Sequence, residues 1–281
     1  MDQLISERLL NPTMPSWFLT KASDDLKHMN REQIIQHIHK IASENPGIFV
    51  ETEWECSNAG EHYRKGEWLN DRERWSDAAY LGDWDKILKI VVEVPNSMGR
   101  YANIRRLYKE SDLLSNTKTP SGYTVLHQAA YHNAPEDVVS ALVALGCWQH
   151  LHTTDGKYQK PVDIARERGF LSLVPLLKPS VDLLPHITDD DLEKIQAHFR
   201  EIVIKESVGC FKPETMSIVD LSILREVDKI WMPVGGMYGG FNIEFEGDHL
   251  VSRSFCRVVG GSGMTYHITA SGATLVDSGW G

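Results

Sequence analysis

The chain is poor in the residues that make cross-linking or metal chemistry easy to read. Only four cysteines occur in 281 residues, Cys56, Cys147, Cys210 and Cys256, and no CxxC or zinc-like spacing joins them. That excludes a disulfide framework or a cysteine-rich metal knuckle as the basis of the fold. No apolar run approaches the length of a membrane span. The opening MDQLISERLL carries acids and lacks the apolar stretch of a secretory leader. The expectation is a cytoplasmic protein with reduced thiols, no membrane partner and no cofactor. Positive charge is also scarce, with 29 Lys and Arg against 39 Asp and Glu and a formal charge of -10. Only Arg72, Arg74 and the Arg105–Arg106 pair cluster at all, so a nucleic-acid backbone is not expected as a partner. An acidic balance instead suits a basic protein partner.

What is present is ordinary globular material, 42% hydrophobic and 24% charged, enough for one large or two medium domains. Between Ser121 and Pro179 the chain reads SGYTVLHQAA, YHNAPEDVVSALVALG and CWQHLHTTDG. Gly122, Thr124, Leu126, His127, Ala129 and Ala130 fall on the pattern G-x-T-P-L-H-x-A-A, with Val125 in the proline place. Two amphipathic helices and a loop reaching the next D-x-x-G follow. KPVDIARERGFLSLVPLL repeats the pattern, with Lys160, Pro161 and Val162 in the T-P-L places and Gly169 ending the first helix. Upstream, RWSDAAYLGDWDKILKIV lays Trp75, Ala78, Ala79 and Gly82 on it more loosely. Thr124 and Lys160 lie 36 residues apart, close to a 33-residue period. Arg74 and Val125 lie 51 apart, which implies an insertion of about 18 residues.

Residues 70–180 therefore resemble the ankyrin-repeat family. The resemblance implies about three helix-pair repeats, with an insertion near 95–118 that adds a helix around Tyr101–Glu110. It makes Thr124 and His127 a turn-stabilising pair rather than catalytic groups. It also implies a protein-binding surface built from the inter-repeat fingers and inner helices, here Tyr131, His132, Trp148, His150, His152 and Tyr158. Repeats of this kind cannot bury their apolar faces singly and need caps at both ends.

The flanks are read from pattern alone. Residues 1–69 form an N-terminal helical cap region, with Asn30 to Gln33 as a capping box before the stripe Ile34, Ile35, Ile38 and Ile41. Residues 181–212 hold a linker and a helix opened by Thr188 and three aspartates, with the stripe Leu192, Ile195, Phe199, Ile202 and Val203. That helix is expected to close the repeat stack. MSIVDLSI is helix or strand. Residues 213–281 then turn to period-two strands broken by glycines, with Gly247-Asp248 as a hairpin turn. The fold class is thus mainly α, an ankyrin stack with helical caps, plus a small β-rich antiparallel meander of four strands.

Three constellations bear on chemistry. Cys147-x-x-His150-x-His152 has metal-ligating side chains, but it lies in a finger and no metal is assigned. On the sheet, Glu244, Arg253, Arg257 and His267 can meet on adjacent strands, which suits acid–base chemistry or cross-strand ion pairing. Cys256 with His249 or His267 lacks a third orienting group, and reads as a structural thiol.

Two functions of different class follow. The first is a non-enzymatic protein-binding protein using the ankyrin surface, whose acidity and build resemble the small ankyrin immunity proteins that neutralise toxins. The second is an enzyme or small-ligand binder on the C-terminal module, with the repeats as a targeting arm. The glycine-rich runs GGMYGGF and CRVVGGSG motivate that second reading. A third use, self-association, comes from the open edges of a meander.

Overall fold

The computed structural model describes residues 28–47, 53–54, 67–93, 102–106, 122–207, 217–256 and 263–279. Among them are eight α-helices and one five-stranded sheet. The helices are α1 (Arg31–Glu44), α2 (Glu67–Leu81), α3 (Trp84–Glu93), α4 (Val125–His132), α5 (Glu136–Ala144), α6 (Pro161–Glu167), α7 (Val174–Leu177) and α8 (Asp189–Glu206). The strands are β1 (Lys229–Val234), β2 (Gly239–Glu246), β3 (His249–Cys256), β4 (Thr265–Thr269) and β5 (Gly272–Asp277). Two apolar cores result, one in the helical part and one beneath the sheet.

In the helical part α2, α4 and α6 form an inner row, each followed by an outer helix packed on it, α3, α5 and α7. The same closure ends each inner helix. Residues Gly82, Asn133 and Gly169 adopt positive φ, and the next amide donates back to an alanine carbonyl. The bonds are Asp83 to Ala78 at 2.9 Å, Ala134 to Ala129 at 3.0 Å and Phe170 to Ala165 at 2.9 Å. This is a left-handed helix stop, which glycine and asparagine tolerate. Ala78, Ala129 and Ala165 are fully buried, and a larger side chain there would separate the rows.

The N-terminal helix α1 does not sit on the end of this array. It contacts both α3 and α5 in the outer row, burying Ile34, Ile35, Ile38 and Ile41. Arg31 pairs with Asp137 of α5 at 2.7 Å. The long 51-residue interval between the first two closures leaves room for an inserted outer helix, and α1 supplies it. Of the helix expected at 101–110, only 102–106 are described. They form a short turn that brackets the following finger, with Asn103 Nδ2 donating to Gly146 O at 2.8 Å and Trp148 N donating to Asn103 Oδ1 at 2.7 Å.

The helix α8 corrects a second expectation. It closes the sheet rather than the helical array, packing on β3, β4 and β5. Its apolar stripe meets the inner face of the sheet, where Phe199 and Phe241 lie edge to face at 6.3 Å. A sheet with Ile230, Met232, Phe241, Ile243 and Ile268 on one side needs a covering layer. A helix with a stripe of matching length is the nearest one available in the chain. The boundary between the two units therefore falls near residue 180, and α8 belongs with the strands.

Residues 217–220 are irregular and lead into a 3-10 turn at Leu221–Arg225. Arg225 is buried and ties the linker down, donating to Leu184 O and Ile187 O at 2.7 Å each and to Asp182 and Asp189 at 3.1 and 3.0 Å. The sheet order is β1-β2-β3-β4-β5, all antiparallel. The strand β1 adds a fifth member to the expected four. Its alternation of Ile230, Met232 and Val234 was present in the sequence, but Pro233 reads as a strand breaker. Proline is tolerated there because β1 is an edge strand. The N-terminal region reaches this edge too, with Glu53 bridging Trp231 in parallel and Trp54 N donating to Trp231 O at 2.7 Å.

Candidate functional site

The finger between α5 and α6 was expected to face a partner. It faces this chain's own C-terminal unit instead. Trp148 is 3% exposed and stacks on Trp54 with ring centroids 5.9 Å apart. His150 N donates to Glu226 Oε1 at 2.6 Å, and His150 Nε2 donates to Val181 O at 3.1 Å. His152 N donates to Asp220 Oδ2 at 3.1 Å, with Nδ1 3.3 Å from the same oxygen. Trp148 and His150 are thus buried inside the molecule, and His152 is committed to Asp220. None of the three is a free surface contact. Backbone amides at a finger need acceptors wherever water is excluded, and Glu226 and Asp220 meet that need.

The electrostatics of this junction follow from burial. Glu226 is pushed up to about 7 by desolvation, against the His150 and Gln149 amides and Lys160, which favour its charged form. Asp220 is desolvated too, but the hydrogen bond and charge of His152 and the bonds from Ser222 hold it below the usual carboxylate range. His150 is lowered by desolvation. Cys147, also buried, is raised and donates to Ala102 O at 3.5 Å. Cys147, His150 and His152 each turn to a different partner. No cluster of three or more metal-ligating side chains forms among the described residues.

His127 is a structural group. Its Nδ1 accepts from Thr124 N at 3.3 Å and lies 2.8 Å from Thr124 Oγ1, so Nε2 carries the proton and donates to Gln159 O at 3.3 Å. Burial lowers it to about 3, and Arg105 adds to the effect. The neutral ring joins the start of α4 to the loop before α6.

A different surface gathers the exposed aromatic and cationic groups. Tyr80 at the end of α2 is 50% exposed and Tyr131 at the end of α4 is 40% exposed. The Arg106 guanidinium lies 4.2 Å from the Tyr80 ring, and Arg168 lies 4.0 Å from the Tyr131 ring and 5.4 Å from Phe170. His132 Nε2 donates to Tyr80 O at 2.9 Å, and its ring meets Tyr131 edge-on at 5.2 Å. Tyr123 meets Tyr131 at 6.0 Å. The array runs across all three helix pairs. Tyr131 and His132 were expected at a binding surface. Tyr80, Arg106, Arg168 and Phe170 were not, although Tyr80 and Tyr131 stand at the same distance before their helix stops. Arg106 is also paired with Asp77, whereas Arg168 makes no ion pair among the described residues. Tyr158, at the finger tip, is 64% exposed with φ of 50°.

Comparison with protein-family models, with curated proteins and with solved structures returned no match for this chain. The residues themselves therefore carry the argument.

On the outer face of the sheet Arg253 pairs with Glu244 and, at 2.7 Å, with Glu246. His267 is not part of that pair; its ring lies 4.5 Å from that of His249. Arg257 lies outside the described residues. Cys256 Sγ donates to Met237 O at 3.1 Å. The glycines have a steric reason. A Cβ on Gly239 would strike Phe255 O, and one on Gly240 would strike Met232 O, because the backbones of β3 and β1 approach too closely.

Proposed function

We propose that this chain is a non-enzymatic protein-binding protein of the ankyrin-repeat type, working in the cytoplasm, whose partner docks on the Tyr80–Tyr131–Arg168 array. The observation that carries this reading is the exposed Tyr131 ring with the Arg168 guanidinium laid over it and no carboxylate paired with Arg168 among the described residues. Tyrosine and arginine are, with tryptophan, enriched at interface hot spots, tyrosine for its large area on few rotors and arginine for its planar fork of donors. The recurring helix stops at Gly82, Asn133 and Gly169 support a repeated unit, and the Thr124–His127 bond at 2.8 Å is the turn pair the resemblance implies. The net charge of -10 favours a partner of opposite net charge, as a toxin-neutralising role requires. Free thiols at Cys147 and Cys256 suit a reducing compartment.

The sheet face supports catalysis less well. Glu244 and Arg253 neutralise each other there, and Gly239, Gly240 and Gly263 of the glycine-rich runs are explained by close strand packing; Gly260 and Gly261 lie outside the described residues.

The test compares affinity capture from the source lysate by the intact protein and by a Tyr131→Ala/Arg168→Ala double variant, read by native mass spectrometry. A stoichiometric protein held by the first, and at least roughly thirtyfold more weakly by the second, supports the reading. Equal retention by both removes this surface. A retained small molecule, with no protein, removes the binding-protein reading altogether.

A further inference from the structure

The two edges of the sheet are not alike. The β1 edge carries three protective devices against pairing with another chain: Lys229, Pro233 and the bridge from Glu53 to Trp231. Among the described residues the β5 edge carries none of them. Five successive residues, Ala273 to Asp277, are exposed, with Leu275 at 45% and Val276 at 48%. No lysine or proline interrupts them, and Asp277 at the end is the single charge. Leu275 pairs with Tyr266, a residue of the core face. The apolar layer under α8 therefore runs out to the sheet edge and stops at an uncovered leucine.

We infer that β5 is a self-association edge, where a second copy of this chain pairs antiparallel through Gly272–Asp277 about a two-fold axis at Leu275. The strand is its own complement in that register. Ala273 lies opposite the second copy's Asp277 and Thr274 opposite its Val276, so the two carboxylates stay at opposite ends. Leu275 meets its own copy on the core side, and the two α8-covered layers become continuous. An isologous contact of this kind closes after two subunits and cannot grow into a fibre. A foreign strand would satisfy the same backbone groups; a second copy also buries Leu275 against an identical leucine while the two Asp277 carboxylates stay apart. Both copies carry the same net charge, so the association tightens as salt screens them.

The experiment is sedimentation velocity on the full chain across two decades of micromolar concentration, at low and high salt. The expected result is a monomer–dimer equilibrium that shifts to dimer at higher concentration and higher salt. Leu275→Lys places like charges directly opposite each other across the axis and should weaken the dimer by at least roughly a hundredfold; Val276→Lys sets them on the diagonal positions beside the axis and should weaken it by at least roughly fivefold. Circular dichroism and the melting midpoint of the dilute monomer check that the fold is intact. If Leu275→Lys fails to fold, Val276→Lys stands with hydrogen exchange, in which the β5 amides slow on concentration. A monomer at every concentration overturns the proposal. So does a dimer undiminished by Val276→Lys, or one whose protected amides lie elsewhere. The Tyr131→Ala/Arg168→Ala variant should dimerise like the parent, since the array and β5 share no residue; loss of the dimer in that variant would also overturn the β5 assignment.

Discussion

Glu226→Gln should make the protein more stable above neutral pH and leave it nearly unchanged at pH 5. The carboxyl of Glu226 sits under the His150 and Gln149 amides and is raised from 4.5 to about 7, first by desolvation. A group whose pKa is raised on folding contributes fully below its unfolded value and loses that contribution as pH rises through the folded one. At about 1.4 kcal/mol per unit, ionised Glu226 weakens the fold by about 3 kcal/mol at pH 8 and by about 1 kcal/mol at pH 5. Glutamine keeps one amide acceptor and gives up the other, a loss of about 1 kcal/mol. The net gain is about 2 kcal/mol at pH 8 and close to zero at pH 5.

His127 works in the opposite sense. Its folded value is lowered from 6.5 to about 3, so its contribution is complete above 6.5 and about 2 kcal/mol of it is gone by pH 5. His150, lowered by burial as well, adds to the acid-side loss. In the parent protein these slopes offset one another between pH 5 and 7. In the variant only the histidine slopes remain, and stability falls on acidification. Urea unfolding at pH 5, 6.5 and 8, followed by tryptophan fluorescence, measures this. An equal change in stability at pH 5 and pH 8 would refute the burial of Glu226 against the finger.

Further outcomes are expected. Trp148→Ala should cost about 3–5 kcal/mol, because it opens the stack on Trp54 between the two units, and limited proteolysis should then cut near the finger. Arg225→Met should cost about 2–4 kcal/mol, because it leaves the buried carbonyls of Leu184 and Ile187 unpaired, seen as a lower urea midpoint; the exposed Asp182 and Asp189 carboxylates add little. Glu244→Gln, which breaks a part-exposed pair, should change stability by less than about 1 kcal/mol; a larger loss, or loss of any measurable turnover, would reopen the sheet face as a catalytic site. Ala129→Leu should unfold the helical part or lower its melting midpoint sharply, since the residue has no exposed surface and the helix rows have no slack.

The helix pairs between residues 74 and 178 were legible because their determinants are local. Small alanines, a residue able to adopt positive φ, and an apolar stripe act within one or two turns of chain. The Thr124–His127 pair and the Gly247-Asp248 turn were legible for the same reason. The strand β1 was not expected, since a proline at position 233 does not fit a central strand, and only the tertiary structure shows that β1 lies at an edge. The finger was misjudged for a different cause. Sequence places Trp148, His150 and His152 in a loop, and nothing local says whether a loop meets solvent, a partner or the protein's own remaining chain.

Residue order by itself determined where helices start and stop, which faces are apolar, and where the period changes from helical to alternating. Those features depend on neighbours within a few residues. Tertiary structure alone decided that α1 fills the outer row, that α8 covers the sheet, and that Glu226 and Asp220 close over the finger. Each of these joins groups distant in sequence; the first two are selected by which apolar surface lacks a cover once the local elements have formed, and the third by which buried backbone amides lack an acceptor.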